Sequence, residues 1–169
     1  MDLSVFAIAV SVLALLVSFY ALFKSRSQKE EKPVTVPETF NSIPLRLQAY
    51  ERLVMLAERL ALHNLVSRCN QPGMTCREMQ ILLTGTIKQE YEYNATQQIY
   101  VSPVAWEALS NLKEQNTMII NQLGATLPAD ASGSELNKRI LEYALNQSNG
   151  NLHTIVLEAL NFEARKITQ

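Results

Sequence analysis

This chain has little that would support a covalent or low-complexity framework. Its 169 residues include two cysteines, five glycines, six prolines and one tryptophan. That composition excludes a disulfide-stapled domain, a collagen repeat and a low-complexity chain. Charge of one sign is also missing, because fifteen basic against sixteen acidic side chains leave a net −1. A nucleic-acid binder held by a strong basic field is therefore not expected. The sequence has no phosphate-binding glycine loop, no serine-centred nucleophile motif and no HExxH pair. Cys69, Cys76, His63 and His153 lack the close pairing that makes a zinc site specific, so no metal and no cofactor is expected.

What the chain does have is one long apolar run. Leu3 to Phe23 covers 21 positions without a charged side chain, and as a helix it would reach about 31 Å, enough to cross a hydrocarbon core. A cleavable signal peptide is the rival reading. Nothing basic precedes the run except the amino terminus, and its apolar length exceeds that of a usual signal. Lys24, Arg26, Lys29 and Lys32 follow the run, whereas only Met1 and Asp2 precede it. The positive-inside bias then places the amino terminus outside and the rest of the chain in the cytoplasm.

Small side chains are ordered within this run. Ser4, Ala7, Ser11, Ala14, Ser18 and Ala21 recur at spacings of 3, 4, 3, 4 and 3, which puts them on one stripe of a helix. Lipid gives helices no hydrophobic reason to pair, so close approach along small faces supplies the packing. The stripe is expected to meet a second copy of the chain or another membrane protein. Residues 24–42 form a polar, proline-containing linker, in which four basic and three acidic side chains leave only +1. That excess is too small for a lipid-binding basic patch, and the segment reads as a solvated stalk.

Residues 43–169 are expected to form a cytosolic bundle of about five helices, making the whole chain all-α with an N-terminal membrane anchor. The first helix opens after Asn41 and Ser42 with Pro44 in its first turn. Its apolar positions fall on two adjacent stripes, one through Leu47, Tyr50 and Val54 and the other through Ala49, Leu53 and Leu56, while Arg46, Glu51, Arg52, Glu58 and Arg59 take the wet side. His63 and Asn64 mark a bend before the chain stops at Asn70 to Gly73. Thr75 and Glu78, then Ser132 and Glu135, have capping-box spacing and predict two further helix starts. Ser102 with Pro103 predicts another, and the helix opened at Thr75 is expected to end near Gln98. Asn149 and Gly150 separate the last two helices.

Two clusters have functional chemistry. Glu90 and Asn94 share a helix face with Gln97 or Gln98 one turn on, where they would bind a small polar ligand or a neighbouring helix. Glu90 and Glu92, two apart, point to different sides and do not make an acid/base pair. Tyr91, Tyr93, Tyr100 and Trp106 bracket the turn between the second and third helices. Trp106 is in register with Leu109 and Leu112, as a core anchor would be, and any of these rings left exposed would offer a surface for a partner.

The segments Leu45–Leu53, Asn70–Met74, Gln97–Pro103 with Trp106, and Met118–Asn121 resemble an uncharacterised family of single-span membrane proteins from Bacteroidota, over about residues 43 to 160. The resemblance implies a bacterial inner-membrane setting and carries no activity or catalytic residue. Together these readings lead to the expectation of a non-enzymatic interaction or assembly module, bound to the lipid bilayer and to itself or another membrane protein. The alternative is a tethered sensor or enzyme acting on a polar ligand at Glu90, Asn94 and Gln97.

Overall fold

The computed structural model describes residues 42–147 and 151–168, with Ser18 alone before them. The chain divides into Met1–Asn41 and Ser42–Gln169. The apolar run and the stripe residues Ser4, Ala7, Ser11, Ala14 and Ala21 lie outside the described residues, while Ser18 is helical and exposed. Among the described residues no helix is long and apolar enough to cross a membrane.

The described residues from Ser42 on fold as helices: α1 (Ile43–Leu60), α2 (Leu62–Cys69), α3 (Cys76–Tyr93), a 3-10 turn (Ala95–Ile99), α4 (Pro103–Ala125), α5 (Gly133–Asn146) and α6 (Leu152–Ile167). No β-strand occurs among the described residues. The long α4 packs on α1, α3, α5 and α6, and α6 in turn lies along α1. Leu53, Leu60, Leu65, Leu83, Ile87, Leu109, Ile120, Leu136, Ile140 and Leu160 are all fully buried in one core. Burying a side chain of this size contributes about 1.5–3 kcal/mol, so this core is the main source of stability.

The predicted helix starts are present. Thr75 and Ser132 each accept a hydrogen bond from the amide three residues on, and the Glu78 and Glu135 carboxylates in turn accept from the cap amides at 2.9 Å. The two starts also meet. The Cys76 amide donates to the Ala131 carbonyl at 2.9 Å, and the Gly133 amide donates to the Met74 carbonyl at 2.8 Å. At Gly133 an added Cβ would lie 3.0 Å from the Met79 Cβ and 3.2 Å from the Met74 oxygen. A side chain here would push Met79 or the Met74 carbonyl aside by a few tenths of an ångström, so glycine suits this approach. Pro72 and Gly73, with Gly73 at φ +84, make the turn before α3, where a positive φ suits glycine.

The first predicted helix is in fact two, which raises the count of α-helices among the described residues from five to six. The break falls at Ala61, whose backbone turns extended (φ −53, ψ 128), two residues before the expected bend at His63. All four terminal carbonyls of α1 are satisfied there. Ala57 accepts from the Ala61 amide, and Glu58 accepts from Asn64 Nδ2 at 2.9 Å. Arg59 accepts from the Arg68 guanidinium at 2.8 Å, and Leu60 accepts from Asn116 Nδ2 at 2.7 Å. A helix end normally leaves these groups without partners. Here, side chains from α2 and α4 hold the break open.

Candidate functional site

Around this break the structure assembles a groove between α1 and α3. Arg52, Met55, Leu56 and Arg59 line it from α1, and Gln89, Glu90, Tyr93 and Asn94 line it from the end of α3, enclosing about 640 Å³. The spacing explains the arrangement, because Arg52, Met55 and Arg59 are three and four apart on one helical face, as Gln89 and Tyr93 are on the other. On α1 the sequence had placed Arg52 and Arg59 only on a wet surface. No signal in the sequence set them apart from other surface charges, because a single apolar side chain such as Met55 on a charged face is ordinary.

Glu90 is the electrostatic centre. Both nitrogens of one Arg59 fork donate to its two oxygens, with Arg59 Nε at 2.8 Å from Oε2, and Arg68 donates to Oε1 at 3.1 Å. The Arg59 fork holds the Glu90 carboxyl below the usual carboxylate range against the opposing effect of partial burial, and Arg68 adds to it. Such a carboxylate is a fixed anion, unsuited to carrying a proton in catalysis near neutral pH. Glu92 instead pairs with Lys88 at 3.8 Å, so the two glutamates point apart, as their spacing requires.

Asn94 lines the groove beside Glu90, but Gln97 does not. Helix α3 ends at Tyr93, earlier than the expected Gln98. Asn94 becomes its C-terminal cap, donating from Nδ2 to the Glu90 carbonyl at 2.9 Å. Gln97 therefore sits in the 3-10 turn, largely buried, with its amide donating to Thr96 Oγ1 at 3.3 Å. The shared face expected of the three residues stops at two.

The aromatic cluster also divides. Tyr91 and Trp106 pack with ring centroids 4.9 Å apart, and the Tyr91 hydroxyl lies 2.6 Å from Ser110 Oγ. Both are half-buried against the core. Tyr93 is 75% exposed, Ile99 and Tyr100 are exposed along the turn that follows it, and Val104 is exposed in the first turn of α4. The Arg52 guanidinium lies over the Tyr93 ring, 5.6 Å from its centroid, an arrangement that attracts a cation to the ring face.

The residues weighed for metal binding are distributed. Cys69 and Cys76 are free and buried, and burial, with Glu135 nearby, pushes the Cys76 thiol up, away from the reactive thiolate. His63 and His153 do meet, with ring centroids 6.4 Å apart, and His153 Nε2 lies 3.6 Å from Glu58 Oε2. Among the described residues no cluster of three potential ligands forms. Burial lowers the His153 pKa, Glu58 acts against that, and His63 reinforces it.

A family model described as a family of unknown function (DUF7935) matches residues 2–167. No curated protein matches the chain, and no solved structure does.

Proposed function

The chain belongs to DUF7935, a family of unknown function, and on that footing we propose that its helical domain is a non-enzymatic interaction or assembly module. Residues 3–23 carry it at the inner (plasma) membrane of a bacterium, of the Bacteroidota as the sequence resemblance implies. The amino terminus lies outside and the domain lies in the cytoplasm. The observation that supports the module most is the state of Glu90: the carboxylate best placed for chemistry is held by two guanidiniums. The surface around it offers fixed charge and exposed apolar side chains, which are the materials of recognition. Tethering adds to this by raising local concentration, so that weak contacts at the bundle become useful.

The span associates with itself or with another membrane protein through Ser4, Ala7, Ser11, Ala14, Ser18 and Ala21. Replacing Ser11 and Ala14 with leucine is expected to weaken association in a membrane dimerisation assay, and unchanged association would remove the stripe from the proposal. A tag after Gln169 is expected to resist external protease in intact cells. Its cleavage would reverse the orientation.

A second reading, a tethered sensor or enzyme for a small polar ligand, draws support from Glu90 and Asn94 lining one groove. It requires Glu90 to be released from Arg59 when the ligand binds. A ligand-dependent rise of the Glu90 pKa, followed by carboxyl NMR, would favour this reading over the module.

A further inference from the structure

The charges of the α1–α3 groove do not balance. Its lining carries two guanidiniums, Arg52 and Arg59, against one carboxylate, Glu90, which Arg68 also engages from α2. Arg59 is committed to Glu90 through both nitrogens, whereas among the described residues Arg52 makes no ion pair and rests on the Tyr93 ring. The cation–π contact positions Arg52, whose guanidinium, without a carboxylate partner among the described residues, carries the N–H fork that grips one. Around it stand Met55, 64% exposed, and Tyr93, 75% exposed, an apolar pair on the two walls of one groove. Beyond Tyr93 the exposed Ile99 and Val104 extend the apolar character along the chain. A small anion would meet the cation and leave these side chains uncovered. A peptide with a carboxylate flanked by apolar residues would meet both.

We infer that the α1–α3 groove docks an acidic, amphipathic segment of a partner protein, with one carboxylate pairing with Arg52 and adjacent apolar side chains covering Met55 and Tyr93. The inference deepens the interaction-module reading and rests on it. Fixed charge sets the specificity. The same segment bearing lysine would face the Arg52 guanidinium, which has no carboxylate partner among the described residues, and like-charge juxtaposition rejects it.

The methionines provide the test. Of the five in the chain, Met55 lines this groove and Met118 lines a separate one on the outer side of α4. The full chain, labelled at its methionine methyls, is titrated with acetyl-Leu-Glu-Leu-amide, with the matched lysine peptide and with sodium acetate. The expected result is a saturable shift of the Met55 signal by the glutamate peptide alone, with Met118 unmoved. Arg52→Gln should weaken that binding at least tenfold while the signals of the core residue Met79 stay in place, and Arg52→Lys should restore part of it. Equal shifts from both peptides, no saturable shift, or unchanged binding in Arg52→Gln would overturn the inference. Acetate shifting Met55 as well as the peptide does would overturn it in favour of a small-anion site. The titration reads only the groove and the protease experiment reads only the anchoring, so failure of the docking inference leaves the anchored module standing and is told apart from its failure.

Discussion

Two regions of the domain solve the same problem by opposite means. Where α3 and α5 begin, the exposed amides are met by Thr75 with Glu78 and by Ser132 with Glu135, partners three residues apart in the chain. Where α1 ends, the exposed carbonyls are met by Asn64, Arg68 and Asn116, the last of these 56 positions from the Leu60 carbonyl it serves. A local cap forms as soon as its turn forms. The α1 end exists only once α2 and α4 have docked, so it is held by the tertiary structure and in turn places Arg59 and Arg68 around Glu90.

The difference can be broken most directly at Asn116. It is buried, and Asn116→Leu would leave the buried Leu60 carbonyl without its donor. A loss of about 2–3 kcal/mol in urea unfolding is expected, because an orphaned buried acceptor costs its full desolvation. A loss below that of a cap substitution would mean that Ala61 breaks the helix without help from α4. Thr75→Ala and Ser132→Ala come next, each expected to cost about 1 kcal/mol. Their combined effect sharpens the comparison. The backbone bridge joins the two starts, so the double variant should depart from the sum of the singles, whereas independent local caps would add.

Glu90→Gln is expected to have a smaller effect, about 1 kcal/mol at neutral pH, since the network is partly solvent-exposed. Its clearer signature is in acid. The folded carboxyl titrates below its unfolded value of about 4.5, so its contribution is present above that pH and is lost as pH falls through the lower folded value. Urea midpoints of Glu90→Gln should therefore fall less steeply than those of the native chain below pH 4.5. Parallel curves would show that the Arg59 contact does not stabilise the fold.

On the other side of the break, His153 has the opposite chemistry, and it gives the smallest expected effect. Its folded pKa lies below 6.5, so the unfolded chain binds the proton first. The stability it contributes is present above pH 6.5 and lost as pH falls through the lower folded value. His153→Gln should flatten the urea-midpoint profile just below pH 6.5, and a profile unchanged from the native one would assign that slope to another group.

Much of the candidate site was visible in part before the fold. Glu90 and Asn94 stood out as an i, i+4 polar pair, and Tyr93 stood out as an aromatic at a turn. The apolar period of α3 continues toward Gln98 and so groups Gln97 with them, because periodicity does not register Asn94 bonding back to the Glu90 carbonyl and ending the helix. Arg52 and Arg59 were legible as surface charges on α1. That they face Glu90 and Tyr93 depends on which face of α1 meets α3, a matter of packing. Asn64, expected at a bend, does take part in one, yet the break sits at Ala61, a residue whose own propensity favours helix.

The sequence by itself determined the helical class, the starts of α3, α4, α5 and α6, and most of the buried stripe, because caps and apolar period act between residues a turn or less apart. The tertiary structure alone decided the split of the first helix, the early end of α3 and the meeting of Arg52, Arg59, Arg68 and Glu90 at one groove. Each of those outcomes depends on a hydrogen bond or charge contact whose partners lie on different helices, or on a helix end that its own period does not mark, and such contacts acquire their energy only when the helices pack.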